Sequence, residues 1–212
     1  MPAMSSAKAY EAHAHAFLTA RDASNVGADV VSRWARSLPP GTDVIDIACG
    51  GGYPVSRALV DAGVNLWALD ASPTLLQTFR ARFPNVPTLC SSALECDYFD
   101  RKLGAAVAIG LIFLLEASEQ IALIHRVSEI LLPGGCFLFT APAQVAAWRD
   151  VTAGCESLPL VRRDMLRCWR TEDFAWPERR STKGGTTITR RTRVASDSVH
   201  ASDSLLIQQG FQ

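Results

Sequence analysis

Over the first forty residues the apolar positions recur at helical spacing. Tyr10, Ala14, Phe17 and Leu18 share one stripe over 10–20, and Val30, Val31, Trp34 and Leu38 share another over 26–38. Pro39, Pro40 and Gly41 end the second. The period then changes. Asp43-Val44-Ile45-Asp46-Ile47 is a short strand-like run, and a stretch of small residues, Ala48 to Gly52, follows at once. Residues 53–62 read as a helix stopped at Gly63, and 65–69 as a strand closed by Asp70. Ser72 and Pro73 are an N-cap and a first-turn proline for a helix through Arg82. Residues 86–90 predict a third strand. Ala105 to Leu115 is a nearly continuous apolar run holding a fourth, as in the middle of a parallel sheet covered on both faces. Residues 118–132 predict a helix with Ile121, Leu123, Ile124, Val127, Ile130 and Leu131 inward, stopped by Pro133-Gly134-Gly135. Cys136 to Thr140 is the fifth strand.

Strands and helices therefore alternate from Thr42 to Thr140, which predicts an α/β fold: a doubly wound, mostly parallel sheet with helices on both faces. Beyond about Arg162 the periodicity stops. The remainder is rich in arginine, serine and threonine, a loop-like composition without a strand pattern. The expected organisation is N-terminal helices over 1–40, an α/β core over 41–142 and an irregular segment over 143–212.

A chain of 212 residues suffices for one such domain with a full core. The formal net charge is zero, so the balance asks for neither nucleic acid nor an acidic membrane as partner. The longest apolar run is about half of what spans a bilayer. The six cysteines form no CxxC pair, and no N-terminal basic-plus-apolar signal is present. The expectation is a soluble, cytoplasmic protein without a membrane partner or a metal site; the oligomeric state stays open.

The informative chemistry lies in the first strand-to-helix turn. A strand ending in a glycine-rich loop that opens a helix presents backbone N–H groups to a polar ligand. Gly50, Gly51 and Gly52 permit a sharp turn there, and leave no side chain to block that ligand. Asp70 ends the next strand about twenty residues on, where an acid can accept both hydroxyls of a ribose; a helix cap is the competing role. A dinucleotide fingerprint starting at Gly50 would want a small residue at Val55, so NAD fits poorly.

Asp46-Ile47-Ala48-Cys49-Gly50-Gly51-Gly52 resembles the D-x-G-x-G-x-G signature of bacterial class I S-adenosylmethionine (SAM) dependent methyltransferases, with Ala48 in place of the first glycine. Leu132-Pro133-Gly134-Gly135 resembles that family's L-x-P-G-G turn, and Val107-Ala108-Ile109-Gly110-Leu111 its fourth strand and following loop. The likeness covers roughly 26–142. It implies a Rossmann-like methyltransferase fold and SAM as cofactor, with S-adenosylhomocysteine (SAH) as product. It further implies that Ala48, Cys49, Gly50, Gly51 and Gly52 pack against the methionine moiety and ribose. Asp46 would orient that loop and the cofactor's amino group, Asp70 would hold the ribose, and Ala71 would lie on the adenine. The family's acid after the third strand is absent. Its place falls in Ser91-Ser92-Ala93-Leu94-Glu95, leaving Ser92 or the backbone at Ala93 for the adenine amine. Ile109 and Gly110 would face the sulfonium, and the N-terminal helices would lid the cofactor. The Asn/Asp-Pro-Pro-aromatic motif of amine-modifying relatives is replaced by Leu111-Ile112-Phe113-Leu114, which favours a small or partly apolar acceptor. No catalytic base stands out; His13 and His15 read as surface residues, and His125 as structural or solvated. A non-catalytic SAM-fold binding protein and an RNA methyltransferase using the basic tail are the competing readings.

The family continues after its fifth strand with a helix and an antiparallel pair of strands, which this chain's periodicity lacks. The tail reads as translated out of frame. Permitted codons for Arg167 through Ile188, read again from the last base of the first codon, spell VLADGGLRLAGEEVDEGGNHY. That string has a helix end, a glycine stop and an alternating strand, and resembles the family's C-terminal D-E-G-x-N-H-Y segment. On this reading the C-terminal strands are missing or irregular.

Overall fold

The computed structural model describes residues 6–141, together with the strand backbone at 148–149, 156–157 and 186–191. Three helices lead in: α1 (Ser6–Ala12), α2 (Ala14–Asp22) and α3 (Ala28–Arg36). The sequence pattern predicts one helix over 10–20, but His13 leaves helical geometry at φ −114, ψ 16. The break has a packing reason. Glu11 of α1 reaches Ser72 and Thr74, whereas Ala14 and Leu18 of α2 bury against Leu75.

The core then alternates as β1 (Asp43–Ile47), α4 (Val55–Asp61), β2 (Asn65–Asp70), α5 (Pro73–Arg82), β3 (Thr88–Cys90), β4 (Leu103–Ala108), α6 (Ala117–Ile130) and β5 (Leu131–Ala141). The sheet order is β3-β2-β1-β4-β5, all parallel. Strand periodicity of two divides the inward residues between the faces. Ile45, Ile47, Phe137 and Phe139 meet Leu123, Ile124 and Val127 of α6 on one side. Val44, Val107 and Leu138 meet Val31, Trp34, Leu59 and Phe79 on the other. Each such side chain, fully buried, contributes about 1.5–3 kcal/mol.

Three details depart from the sequence pattern. On α6 the buried position before Leu123 is Gln120, not Ile121, because the Gln120 amide donates to the Leu115 carbonyl at 2.8 Å. The Pro133-Gly134-Gly135 turn belongs to β5 itself. Pairing with β4 jumps from Leu103–Leu131 to Ala105–Cys136, so the turn is looped out between two paired points. Finally, a strand exists where none was expected: β8 (Thr186–Arg191) runs antiparallel along β5, from Ala141–Thr186 to Cys136–Arg191. Its backbone preference comes from the β-branched run Thr186-Thr187-Ile188-Thr189, which carries one apolar residue and so shows no hydrophobic period. Between β5 and β8, β6 (Trp148–Arg149) and β7 (Glu156–Ser157) pair antiparallel as a separate ribbon. Among the described residues no helix is long and apolar enough to cross a membrane.

Candidate functional site

β1 lies between β2 and β4, so the chain leaves it toward one side of the sheet and returns on the other. Such a switch point opens a crevice at the carboxyl ends of the strands. The cofactor-binding candidates read from the sequence lie at or just after those ends.

The turn after β1 opens with Ala48 at φ +59, a left-handed conformation. This is the position at which the family signature has glycine, and alanine here costs about 1–2 kcal/mol. Cys49 returns its N–H to the Leu69 carbonyl at 3.0 Å, tying the turn to β2. Gly50 donates its N–H to Asp70 Oδ2 at 2.8 Å, so the glycine loop and the acid after β2 are in direct contact. Asp70 Oδ1 accepts the Ser72 N–H at 2.8 Å. Asp70 is not the cap of α5: that role belongs to Ser72, whose Oγ accepts from Leu75 N–H. Asp70 thus stands at the end of β2 with both carboxylate oxygens bonded to backbone N–H groups.

The reason for the glycines differs from the sequence argument. A Cβ on Gly51 would stand 2.3 Å from Leu18 of α2, and one on Gly52, at φ +88, would stand 2.3 Å from the Phe83 ring. Protein side chains, Phe17 above Gly50 among them, already occupy that space. The loop is a joint between α2, α5 and β1.

Polar clamps hold the joint. Arg82 grips Asp22 through two hydrogen bonds at 2.8 and 2.6 Å, donates to the Gly51 carbonyl at 3.0 Å, and covers the Tyr53 ring at 4.5 Å. Glu11 accepts from the hydroxyls of Ser72 and Thr74, which holds its carboxyl below the usual range.

Electrostatically the site is acidic and buried. Asp46 is 2 % exposed and accepts from Ser56 Oγ at 2.5 Å. Burial pushes its carboxyl up to about 7; Ser56 opposes the rise, Asp70 adds to it and Arg21 opposes it. Burial likewise raises Asp70, against its N–H donors Ser72, Gly50 and Ala71. The Cys49 thiol is raised by burial and by the same two carboxylates. Arg21, on α2, loses ground to burial and is favoured by Asp46.

The other sequence candidates are spread along the same edge. Ala71 is half-buried beside Asp70. Ser92 Oγ accepts from Leu94 N–H at 3.2 Å, and the Ala93 carbonyl accepts from Tyr98 Oη at 2.5 Å, so both shape the loop after β3. Ile109 packs on the core, and Gly110, at φ +84, donates its N–H to Thr140 Oγ1 at 2.8 Å. His13, His15 and His125 are exposed. The apolar loop after β4 is explained by the core: Ile112, Phe113 and Leu115 are buried. Arg21, Arg82, Glu11, Phe17, Ser56 and Thr140 are the participants that sequence reasoning missed. Their contacts bridge elements far apart in the chain, and no local motif announces them.

A methyltransferase-domain family model matches residues 44–135. A curated relative, the ubiquinone biosynthesis O-methyltransferase of Xanthomonas campestris pv. campestris, is 29% identical over 132 residues, covering 58% of this chain and 52% of that one. The chain spans about half the length of the curated relatives it matches. Among solved structures, magnesium protoporphyrin IX methyltransferase from Synechocystis PCC 6803 with bound SAM superposes with a TM-score of 0.60 at 12% identity, covering 78% of each chain. N-methyltransferase NodS from Bradyrhizobium japonicum WM9, in complex with SAH, gives 0.59 at 17% identity, covering 78% of this chain and 85% of that one. The fold is that of Rossmann-like class I methyltransferases.

Proposed function

We propose that the chain is a class I SAM-dependent methyltransferase, which binds SAM across the ends of β1, β2 and β4 and methylates a small-molecule acceptor in the cytoplasm, releasing SAH; the methyltransferase-domain match over 44–135 supports this reading. The observation that carries this reading is the Asp70–Gly50 contact. A buried carboxylate at the end of β2 accepts from the backbone of the glycine loop, so the two candidate elements meet. The small-molecule acceptor is supported by the name of the curated relative.

The donor set suits the cofactor's charges. Two buried carboxylates, Asp46 and Asp70, favour a cationic ligand, and Arg21 on the overlying helix offers a partner for a carboxylate. When bound, SAM supplies a methyl group already activated by its sulfonium. The chain's own task is then to position and to exclude water. Asp70 takes the ribose hydroxyls, and Ala71 lies on the adenine with Ser92 and Ala93 at its edge. The Ala48–Gly52 turn and Asp46 meet the amino-acid end, and Ile109 and Gly110 border the sulfur. Helices α1 and α2, clamped by Glu11–Ser72 and Asp22–Arg82, cover the loop and keep water from it. The segment after β5 is, on our reading, out of frame from about Arg167. The cofactor residues all precede 142.

Calorimetric titration with SAH, with NAD as control, tests the cofactor assignment. Asp70→Ala should weaken SAH by about 1–3 kcal/mol, the scale for a lost charged acceptor. Saturable NAD binding, or an Asp70→Ala protein that binds SAH normally, would count against it.

A further inference from the structure

Thr140 is the penultimate residue of β5 and is buried, and its Oγ1 receives the N–H of Gly110, just beyond the end of β4. β4 has ended at Ala108, so this hydroxyl fastens the first peptide units of the loop that follows. We propose that Thr140 is a positioning residue for the cofactor. It fixes the Ile109–Gly110 peptide so that the Ile109 carbonyl faces the cationic centre of SAM. This rests on the reading above, in which the cofactor lies along the ends of β1, β2 and β4.

The argument is geometric. A trans peptide is planar, with its carbonyl directed opposite to its N–H. The Gly110 N–H is held toward β5. The Ile109 carbonyl is therefore turned away from β5. Because β4 lies between β5 and β1, it is turned to the side where the Ala48–Gly52 loop begins. Among the described residues no donor reaches that carbonyl. Gly110, at φ +84, is the residue type with the widest backbone freedom, so the peptide would turn without an anchor. A fixed dipole in a water-poor crevice acts on a charge without reorganising. SAM carries the positive charge on sulfur and SAH does not. Thr140 therefore adds to the affinity for the reactant more than to that for the product, which favours turnover.

The experiment measures SAM and SAH dissociation constants and melting temperatures for the wild-type chain, Thr140→Val and Thr140→Ser. Valine keeps the shape and removes the acceptor; serine keeps the acceptor. Thr140→Val should weaken SAM about tenfold and SAH less than about threefold, the effect of one lost hydrogen bond seen mainly by the charged sulfur. Thr140→Ser should restore the SAM:SAH ratio, and all three proteins should melt within a few degrees of one another. An unchanged ratio in Thr140→Val, with wild-type chain that binds both ligands, overturns the role of Thr140 alone. So does equal weakening of both ligands together with a lowered melting temperature, or a serine variant that behaves like valine. A folded wild-type chain that binds neither ligand removes the cofactor reading and this proposal with it.

Discussion

Asp46→Asn puts the electrostatics of the site to a quantitative test. The carboxyl is buried, bonded to Ser56, repelled by Asp70 and attracted by Arg21, and burial outweighs the attractions. Its folded-state value of about 7 compares with an ordinary 3.8. An acid whose value is raised on folding binds its proton more tightly in the folded state. Its contribution to stability therefore falls as pH rises from about 4 to about 7, and is constant above. At roughly 1.4 kcal/mol for each pH unit, the interval between pH 5 and 7 is worth about 2–3 kcal/mol. Asparagine fills the same space, carries no charge and still accepts from Ser56. Urea melts of both proteins at pH 5 and pH 8 give the test, since every other titrating group is common to both. The variant should gain about 2–3 kcal/mol on the wild-type protein between the two pH values. The same carboxylate, once ionised, favours the cationic end of the cofactor. SAM affinity of the wild-type chain should therefore rise with pH through about 7 and that of the variant should not. Parallel stability profiles for the two proteins would show that Asp46 is ionised throughout, and the account of a buried acidic site would fail.

Gly52→Ala should lose about 3 kcal/mol in a denaturant melt, combining a left-handed alanine with a Cβ set 2.3 Å from the Phe83 ring. Wild-type stability would mean that Phe83 moves freely. Arg82→Gln should cost about 1 kcal/mol or less globally, yet raise amide exchange across α1 and α2, because Arg82 joins Asp22 to the Gly51 carbonyl; unchanged exchange would leave the clamp without a role. Sequencing the gene should reveal a shifted frame upstream of the codons for 167–188. An uninterrupted frame with no methyltransferase-like product in either alternative would dispose of that proposal.

The sheet is legible because its strands are short apolar runs bounded by glycine, proline and acid, and two parts of the candidate site carry local signals. One is the turn at Ala48–Gly52; the other is Asp70, about one strand-helix-strand unit later. The unread parts share a physical cause. Arg82 meets Asp22 across sixty positions, and Glu11 meets Thr74 across sixty-three. Such pairs leave no periodicity. Gln120 is absent from the inward stripe that the apolar pattern gives, because glutamine is usually exposed; its amide donates to the Leu115 carbonyl in the buried position. The apolar loop at 111–114 suggests a small or partly apolar acceptor, but a helical turn folds Ile112 and Phe113 into the core. The strand at 186–191 went unseen because backbone preference without apolar alternation is a weak signal.

The glycine loop shows how site and scaffold depend on one another here. Its conformation is imposed from three sides: Leu18 and Phe17 from the N-terminal helices, Phe83 and Arg82 from the end of α5, and Asp70 from β2. All of these lie within the first 83 residues. Among the described residues, the segment after Ala141 meets the core along β5, through β8, and at the turn 112–114, through β7. A chain with an altered C-terminal segment can therefore keep the geometry that recognises a ribose and an amino-acid end. What it alters is the outer edge of β5, covered here by β8, and the Thr140–Gly110 bond that borders the reacting sulfur. Loss of function through the C-terminal segment should consequently appear first as a changed preference between SAM and SAH, and only later as a loss of binding to either.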